Sequence, residues 1–323
     1  MVDLSRPLLH DFARLFGVTR SSLHLVNSGI NVVWRGEREG TTVYLRCGHE
    51  AHFGEAKVRG ATSYLAHVFS RGAPVCEPFR SVNGEWFESR PSDQGRWYAT
   101  LVREAPGRRL HPGQLDPAEV TAWGRAIGAL HCASRDFAPP PDALIKRFSG
   151  MWTSEIEEAL ARSEPRLLPL YAELSAWAQS APQEPFGVTH GDMRAGNAFW
   201  DGAQITIIDF DEPNWDRLAA DLARPLLECS AGRCAALLPF LLAGYQEVCG
   251  VQGNVEQALP NLLRQRALIM FAWSAQEWHG PWTEPPAEVA EVDSSDTRAF
   301  QGWLLARLLS GDLARTPGAD AMR

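Results

Sequence analysis

Short runs of alternating apolar and polar residues fill the first hundred positions, and longer runs with helical periodicity fill most of the remainder. Leu23-His24-Leu25-Val26 and Asn31-Val32-Val33-Trp34 flank Asn27-Ser28-Gly29, a turn signal between two strand-like segments. After a second turn at Glu37 to Gly40, the run from Thr41 to Cys47 alternates as a strand. Tyr44 and Arg46 fall on one of its faces and Val43, Leu45 and Cys47 on the other. Phe53 to Arg71 carries a helical period in Tyr64, Leu65 and Val68, stopped by Gly72-Ala73-Pro74. Apolar stretches around Glu85 to Glu88 and from Trp97 to Val102 complete a sheet. Glu104-Ala105-Pro106-Gly107 then interrupts regular structure and predicts a connection between two lobes.

Beyond that connection, periodicity predicts helices over 117–134, 164–179, 217–228, 234–248 and 254–278, while Pro139-Pro140-Pro141 and the 280–296 region read as loops. The expected fold class is α+β and bilobal. A small antiparallel β-rich lobe spans 1–104 and a larger, mainly α-helical lobe spans 105–323, a division suited to a chain of 323 residues.

Composition narrows the setting. A hydrophobic fraction of 45% is that of a globular protein, and no stretch reaches the ~18 apolar residues of a membrane helix. With no targeting segment legible before Gly17, a cytoplasmic enzyme is expected. Six cysteines without zinc or C-x-x-C spacing predict free thiols. The formal charge of −8 disfavours nucleic acid as a partner, since phosphate binding needs a concentrated basic face.

The chemistry sits in the segment that breaks the helical pattern. Phe186 and Val188 lead into His190-Gly191-Asp192-Met193-Arg194-Ala195-Gly196-Asn197, and after Ala198 and Phe199 the run Ile205-Thr206-Ile207-Ile208 ends at Asp209-Phe210-Asp211. Asp, Asn and Gly also gather in ordinary turns, but here they fill the order strand, loop, strand, carboxylate. That order suits phosphoryl transfer from ATP with magnesium. Asp192 would accept or orient the proton of an acceptor hydroxyl, and Asn197 and Asp209 would be the Mg2+ ligands. His190 is expected to hold the loop by hydrogen bonds, Glu212 to be structural, and Asp211 either to aid a second magnesium or to cap the next turn.

This segment resembles the aminoglycoside phosphotransferase and choline kinase superfamily, whose fold is similar to that of protein kinases and whose loop reads His-Gly-Asp-x-x-x-x-Asn followed by Ile-Asp-Phe/Trp-Asp/Glu. Trp123 to His131 is similar to a helix that family places before the loop, and Asp221-Leu222-Ala223 to a helix start after it. The wider layout looks closest to the bacterial stress-response kinase branch. The resemblance implies a nucleotide beneath Ser28, Gly29 and Asn31, with Arg46 at the position of the phosphate-binding Lys and Val102 and Glu104 in the adenine-contacting hinge. Glu55 is the nearest carboxylate to partner Arg46 from the helix, and Tyr44 stands where protein kinases carry a small Ala against adenine. Asp192 would be catalytic and the cofactors ATP and Mg2+. The acceptor would be a small-molecule hydroxyl, as in an aminoglycoside or amino alcohol, with a protein Ser/Thr next. A metal-dependent hydrolase using His190, Asp192, Asp209 and Asp211 and a nucleotide-binding pseudokinase are the alternatives. Among the C-terminal tryptophans, Trp273 and Trp303 are expected in helical core, whereas Trp278 and Trp282 could belong to an aromatic substrate pocket. Glu277, His279 and Glu284 are expected on solvated surface.

Overall fold

The computed structural model describes residues 4–147, 154–180, 185–250, 255–277, 297–311 and 313. Its first element lies ahead of the expected strands: α1 (Arg6–Leu15) buries Leu9, Phe12, Ala13 and Leu15 along one helical face. That face covers an all-antiparallel sheet of β1 (His24–Ser28), β2 (Asn31–Arg38), β3 (Thr41–His49), β4 (Pro78–Phe79), β5 (Glu88–Ser92) and β6 (Gly95–Arg103). The alternation in β3 holds, with Val43, Leu45 and Cys47 fully buried against Phe12, Phe16 and β6 residues Trp97, Ala99 and Leu101. Each such large apolar side chain contributes about 1.5–3 kcal/mol by leaving water.

The helix α2 (Glu55–Ser70) follows β3 in sequence and packs against both the sheet, at β4 and β6, and the helical region. Its Tyr64, Leu65 and Val68 join the core of the helical region, and Tyr64 Oη donates to the Val188 carbonyl at 2.9 Å. Beyond the connection lie β7 (Arg108–Arg109), α3 (Pro117–Ser134), β8 (Lys146–Arg147), α4 (Ser154–Ser163) and α5 (Leu168–Ser180). After them come β9 (Phe186–Thr189), β10 (Ala198–Trp200), β11 (Ile205–Ile207), β12 (Asn214–Arg217), α6 (Ala219–Ala223), α7 (Ala231–Cys249), α8 (Val255–Glu277) and α9 (Thr297–Ser310). The short strands form two sheets, β11-β10-β7 and β8-β12-β9.

Several expected elements shift. The helix expected from Arg217 to Glu228 starts instead as β12, because Asn214–Arg217 satisfies its backbone against β9, and only the short α6 remains. Trp303 is buried as expected, but Trp273 is not in the core: 44% of its surface stays exposed. The expectations for Trp278, Trp282, His279, Glu284 and the 280–296 loop lie outside the described residues, as does the Glu277 side chain. Pro139-Pro140-Pro141 falls in an irregular connection after α3. None of the six cysteines is in a disulfide, and no helix among the described residues is long and apolar enough to cross a membrane.

The framework under the loop at 190–197 is α3 packed on α7. Asp116 caps α3 through a reciprocal capping box with Glu119, and Pro117 opens the helix without wasting an N–H. A Cβ at Gly124 would lie 2.1 Å from the Leu241 carbonyl and one at Gly244 2.0 Å from the Thr121 carbonyl, so the two helices touch backbone to backbone.

Candidate active site

The loop between β9 and β10 is held from below by one buried carboxylate. Asp221, at the start of α6, accepts the His190 N–H at 2.7 Å, the Gly191 N–H at 3.1 Å and His131 Nε2–H at 3.1 Å, while His131 Nδ1 meets Tyr245 Oη at 3.0 Å. Burial pushes the Asp221 carboxyl upward, but these donors outweigh it and hold it below the ordinary range. The two segments set apart in the sequence, 123–131 and 221–223, thus meet beneath the loop.

His190 bonds as expected: its Nε2 lies 2.9 Å from the Ile208 carbonyl and its Nδ1 accepts the Asp192 N–H at 3.2 Å, which places the ring proton on Nε2. Gly191 has φ +85°, and a Cβ there would lie 2.0 Å from the Glu212 carbonyl, so a side chain would push the loop off its support. Asn197 is buried and its Nδ2 donates to the Asp192 carbonyl at 2.9 Å and to Asp192 Oδ2 at 3.1 Å. Arg194 Nε stands 3.3 Å from Asp192 Oδ2 and Arg224 Nε 3.4 Å from Oδ1. A carboxylate fixed from both oxygens, yet partly open to solvent, is fitted to orient a hydroxyl.

Two residues past β11, Asp209 adopts φ +70°, a left-handed conformation that Asp tolerates better than most residues and that clusters at functional sites. The turn brings Asp209 Oδ1 and Asp211 Oδ2 each to 2.6 Å from Arg46 Nη2, and Asn31 Nδ2 donates to Asp211 Oδ2 at 2.5 Å. Arg46 holds the Asp209 carboxyl low against its burial, whereas burial dominates at Asp211 and pushes that carboxyl up. Asp211 is therefore part of the cluster rather than a cap. Glu55 is not the partner of Arg46: it sits in the first turn of α2 and pairs with Arg59, one helical turn on, at 2.9 Å. Tyr44 keeps the strand register yet turns to Glu104, donating to Oε1 at 3.1 Å, and Arg35 Nε donates to the same oxygen at 3.1 Å.

One cavity brings Asn31, Arg46, Val102, Asp209 and Asp211 together; Ser28, Gly29, Glu55 and Glu104 are not in its wall. A second, of about 1100 Å³, has Asp192 in its wall and is bounded by the exposed Trp273 among others. The sequence reading missed three cations here. Lys57 of α2 lines the first cavity and ion-pairs Glu212, Lys146 lines the second, and the buried Arg224 bonds Glu228 at 2.9 Å while reaching Asp192. Signals existed: Lys57 and Lys146 are the only lysines in the chain, and Arg224 directly follows Asp221-Leu222-Ala223.

Beside the second cavity, Asp216 is buried on Arg266, whose Nη2 lies 3.0 Å from Oδ2. Burial pushes the Asp216 carboxyl up to about 6, an increase that Arg266 only partly offsets. The folded chain therefore retains a proton that the unfolded chain releases near its ordinary value of 3.8. This contribution favours folding below that value and is lost as pH rises through about 6. The unfolding free energy of the wild type relative to Asp216→Asn, from urea melts, should fall by roughly 2–3 kcal/mol between pH 4 and 7; a flat difference would place the titration elsewhere.

Comparisons with known proteins bear on the family and the fold. The model of a family described as the phosphotransferase enzyme family matches residues 24–254. The chain is 21% identical over 283 residues to an amicoumacin kinase of Bacillus subtilis, covering 82% of this chain and 83% of the relative. It is 32% identical over 227 residues to a homoserine kinase of Rhizobium rhizogenes, covering 66% and 67%. A solved amicoumacin kinase in complex with AMP-PNP, Ca2+ and Ami superposes with a TM-score of 0.76 at 18% identity, covering 97% of this chain and 94% of that one.

Proposed function

The chain belongs to the phosphotransferase enzyme family, and from that premise we propose that it moves the terminal phosphoryl group of ATP, with magnesium, to the hydroxyl of a small molecule. The observation that carries this reading is the placement of Arg46, Asp209 and Asp211 in the wall of one cavity and Asp192 in the wall of another, with Asn197 between Asp192 and Asp209 in the chain and bonded to Asp192. The bound AMP-PNP and Ca2+ of the amicoumacin kinase support a nucleotide and a divalent ion here.

The donor set fits a hard ion that shares its shell with a nucleotide. Among the described residues no group of three or more His, Cys, Asp or Glu side chains could hold a metal alone. Asp209, Asp211 and the Asn197 amide would supply part of the shell and phosphate oxygens the rest, an arrangement magnesium favours. That two carboxylates already clasp the Arg46 guanidinium supports a position suited to positive charge. A bound ion would offset the charge of the phosphates. Arg46 would grip phosphate, His190 and Asp221 would keep the loop in place, and Asp192 would orient the acceptor hydroxyl for in-line attack.

The described wall of the second cavity carries Lys146, Arg147, Arg194, Arg224 and Arg266 with Glu155, Asp192 and Glu212. Arg224 is also held by Glu228 and Arg266 by Asp216, so the charges of this wall are balanced and the acceptor class is left to a screen of acidic, neutral and cationic alcohols. Nucleotide consumption should be screened with L-homoserine and its amide, gluconate and glucose, aminopropanol and kanamycin. Magnesium-dependent turnover with one acceptor supports the kinase reading; neither turnover nor ATP binding in any condition rejects it.

Arg46→Ala should weaken ATP by at least about tenfold while leaving adenosine near wild type, since charge-assisted bonds to phosphate contribute roughly 1.5–3 kcal/mol each. Arg46→Lys should recover part of the loss. Titration calorimetry of both ligands decides it: equal losses would make Arg46 a support of the fold rather than a phosphate contact.

A further inference from the structure

Four of the six cysteines, Cys47, Cys76, Cys229 and Cys234, are buried, and burial pushes the Cys76 thiol up to about 12. Cys132 and Cys249 differ from these in exposure and in lying side by side, although partial burial and the neighbouring Cys249 sulfur also push the Cys132 thiol up. Both are partly exposed, they come from α3 and the last residue of α7, and their sulfurs lie 3.3 Å apart. Forming the ~2.05 Å bond of a disulfide would require an approach of little more than ~1 Å, within reach of side-chain torsions. Arg135 Nη2 lies 3.6 Å from Cys249 Sγ and places a positive group where negative charge develops during thiol oxidation.

We propose that Cys132 and Cys249 form a reversible oxidation site, closing to an intramolecular disulfide under a hydroperoxide. One thiol attacks the peroxide oxygen and becomes a sulfenic acid as the alcohol or water leaves; the other attacks that sulfur, the S–S bond forms and water leaves. Two electrons pass from the two thiols to the peroxide, and an external dithiol reverses the step. The bond would join positions 117 apart and enclose the whole segment from 190 to 211. It would also lie one residue from His131 and four from Tyr245, whose contact leads through Asp221 to the His190 and Gly191 backbone. Oxidation would thus fix the α3–α7 contact under the loop. This inference stands independently of which acceptor the enzyme takes, or whether it takes one.

The test uses the full chain, treated with hydrogen peroxide under native conditions and then alkylated after unfolding. The expected result is a fall from six alkylated thiols to four, a mass lower by two hydrogens before alkylation, and a proteolytic product linking the Cys132 and Cys249 peptides. Dithiothreitol should restore all six. Cys132→Ser and Cys249→Ser should each abolish the linked product, and closure of so long a loop should raise the wild-type unfolding temperature by several degrees. Retention of six thiols, overoxidation of either sulfur without a link, or a linked product between other cysteines would each overturn the proposal. Because the wild-type mapping decides on its own, a misfolded variant does not shelter it.

Discussion

Asp192→Asn is expected to lower acceptor turnover by about 10²–10⁴-fold while nucleotide affinity stays near wild type. The magnitude is that of losing a positioned acid-base group, because the amide keeps the size of the carboxylate but neither takes a proton nor draws one by charge. The loop should survive the change. The bonds of its backbone, from Asn197 Nδ2 to the Asp192 carbonyl and from the Asp192 N–H to His190 Nδ1, are untouched by the change, and Arg224 keeps its bond to Glu228. The measurement is steady-state kinetics with an acceptor found in the screen, beside calorimetry with ATP. Turnover close to wild type would remove Asp192 from the chemistry.

The second large effect concerns Asp209. Replacing it by Asn should abolish most of the gain in ATP affinity that magnesium confers, by at least about 100-fold. Changes to groups that merely support metal ligands already cost 10–100-fold, so loss of a charged ligand should reach at least the upper end. Asn is the informative substitution because the backbone at this position has φ +70°, which Asn tolerates and Ala does not. Asp209→Ala should show the same loss of magnesium dependence plus reduced stability. ATP titrations with magnesium and with a chelator settle the matter: a magnesium dependence unchanged in Asp209→Asn would mean that the ion is held elsewhere.

The loop and its carboxylates were legible because their spacing is local: Asp192, Asn197 and Asp209 lie in one short stretch framed by strand-like runs; β3 alternation put Arg46 on the face opposite Val43, Leu45 and Cys47, and the structure sets that side chain against Asp209. The partner of Arg46 was not legible. It depends on how α2 is set against the sheet, and a carboxylate near in sequence, Glu55, loses to two carried by a strand end more than 160 residues later. α1 was visible in principle, since Leu9, Phe12, Ala13 and Phe16 repeat at helical spacing, but that stretch invites inspection for targeting signals first. The helix expected at Arg217 failed for a different reason. Local periodicity cannot report that a distant segment, Phe186–Thr189, will claim the Asn214–Arg217 backbone. Trp273 shows the same limit, since a helical aromatic looks alike whether it faces core or cavity.

With only two lysines in the chain, one in each cavity, this protein carries its own pair of reporters. An acylating or reductively alkylating reagent meets just two side-chain amines, Lys57 beside the Arg46 cluster and Lys146 on the wall of the second cavity. Lys57 is shielded and paired with Glu212 whereas Lys146 is exposed, so the two should label at different rates that peptide mass spectrometry can follow separately. Protection of Lys57 by a nucleotide and of Lys146 by an acceptor would then map occupancy of each compartment without turnover, and would allow unknown ligands to be assigned to one compartment or the other.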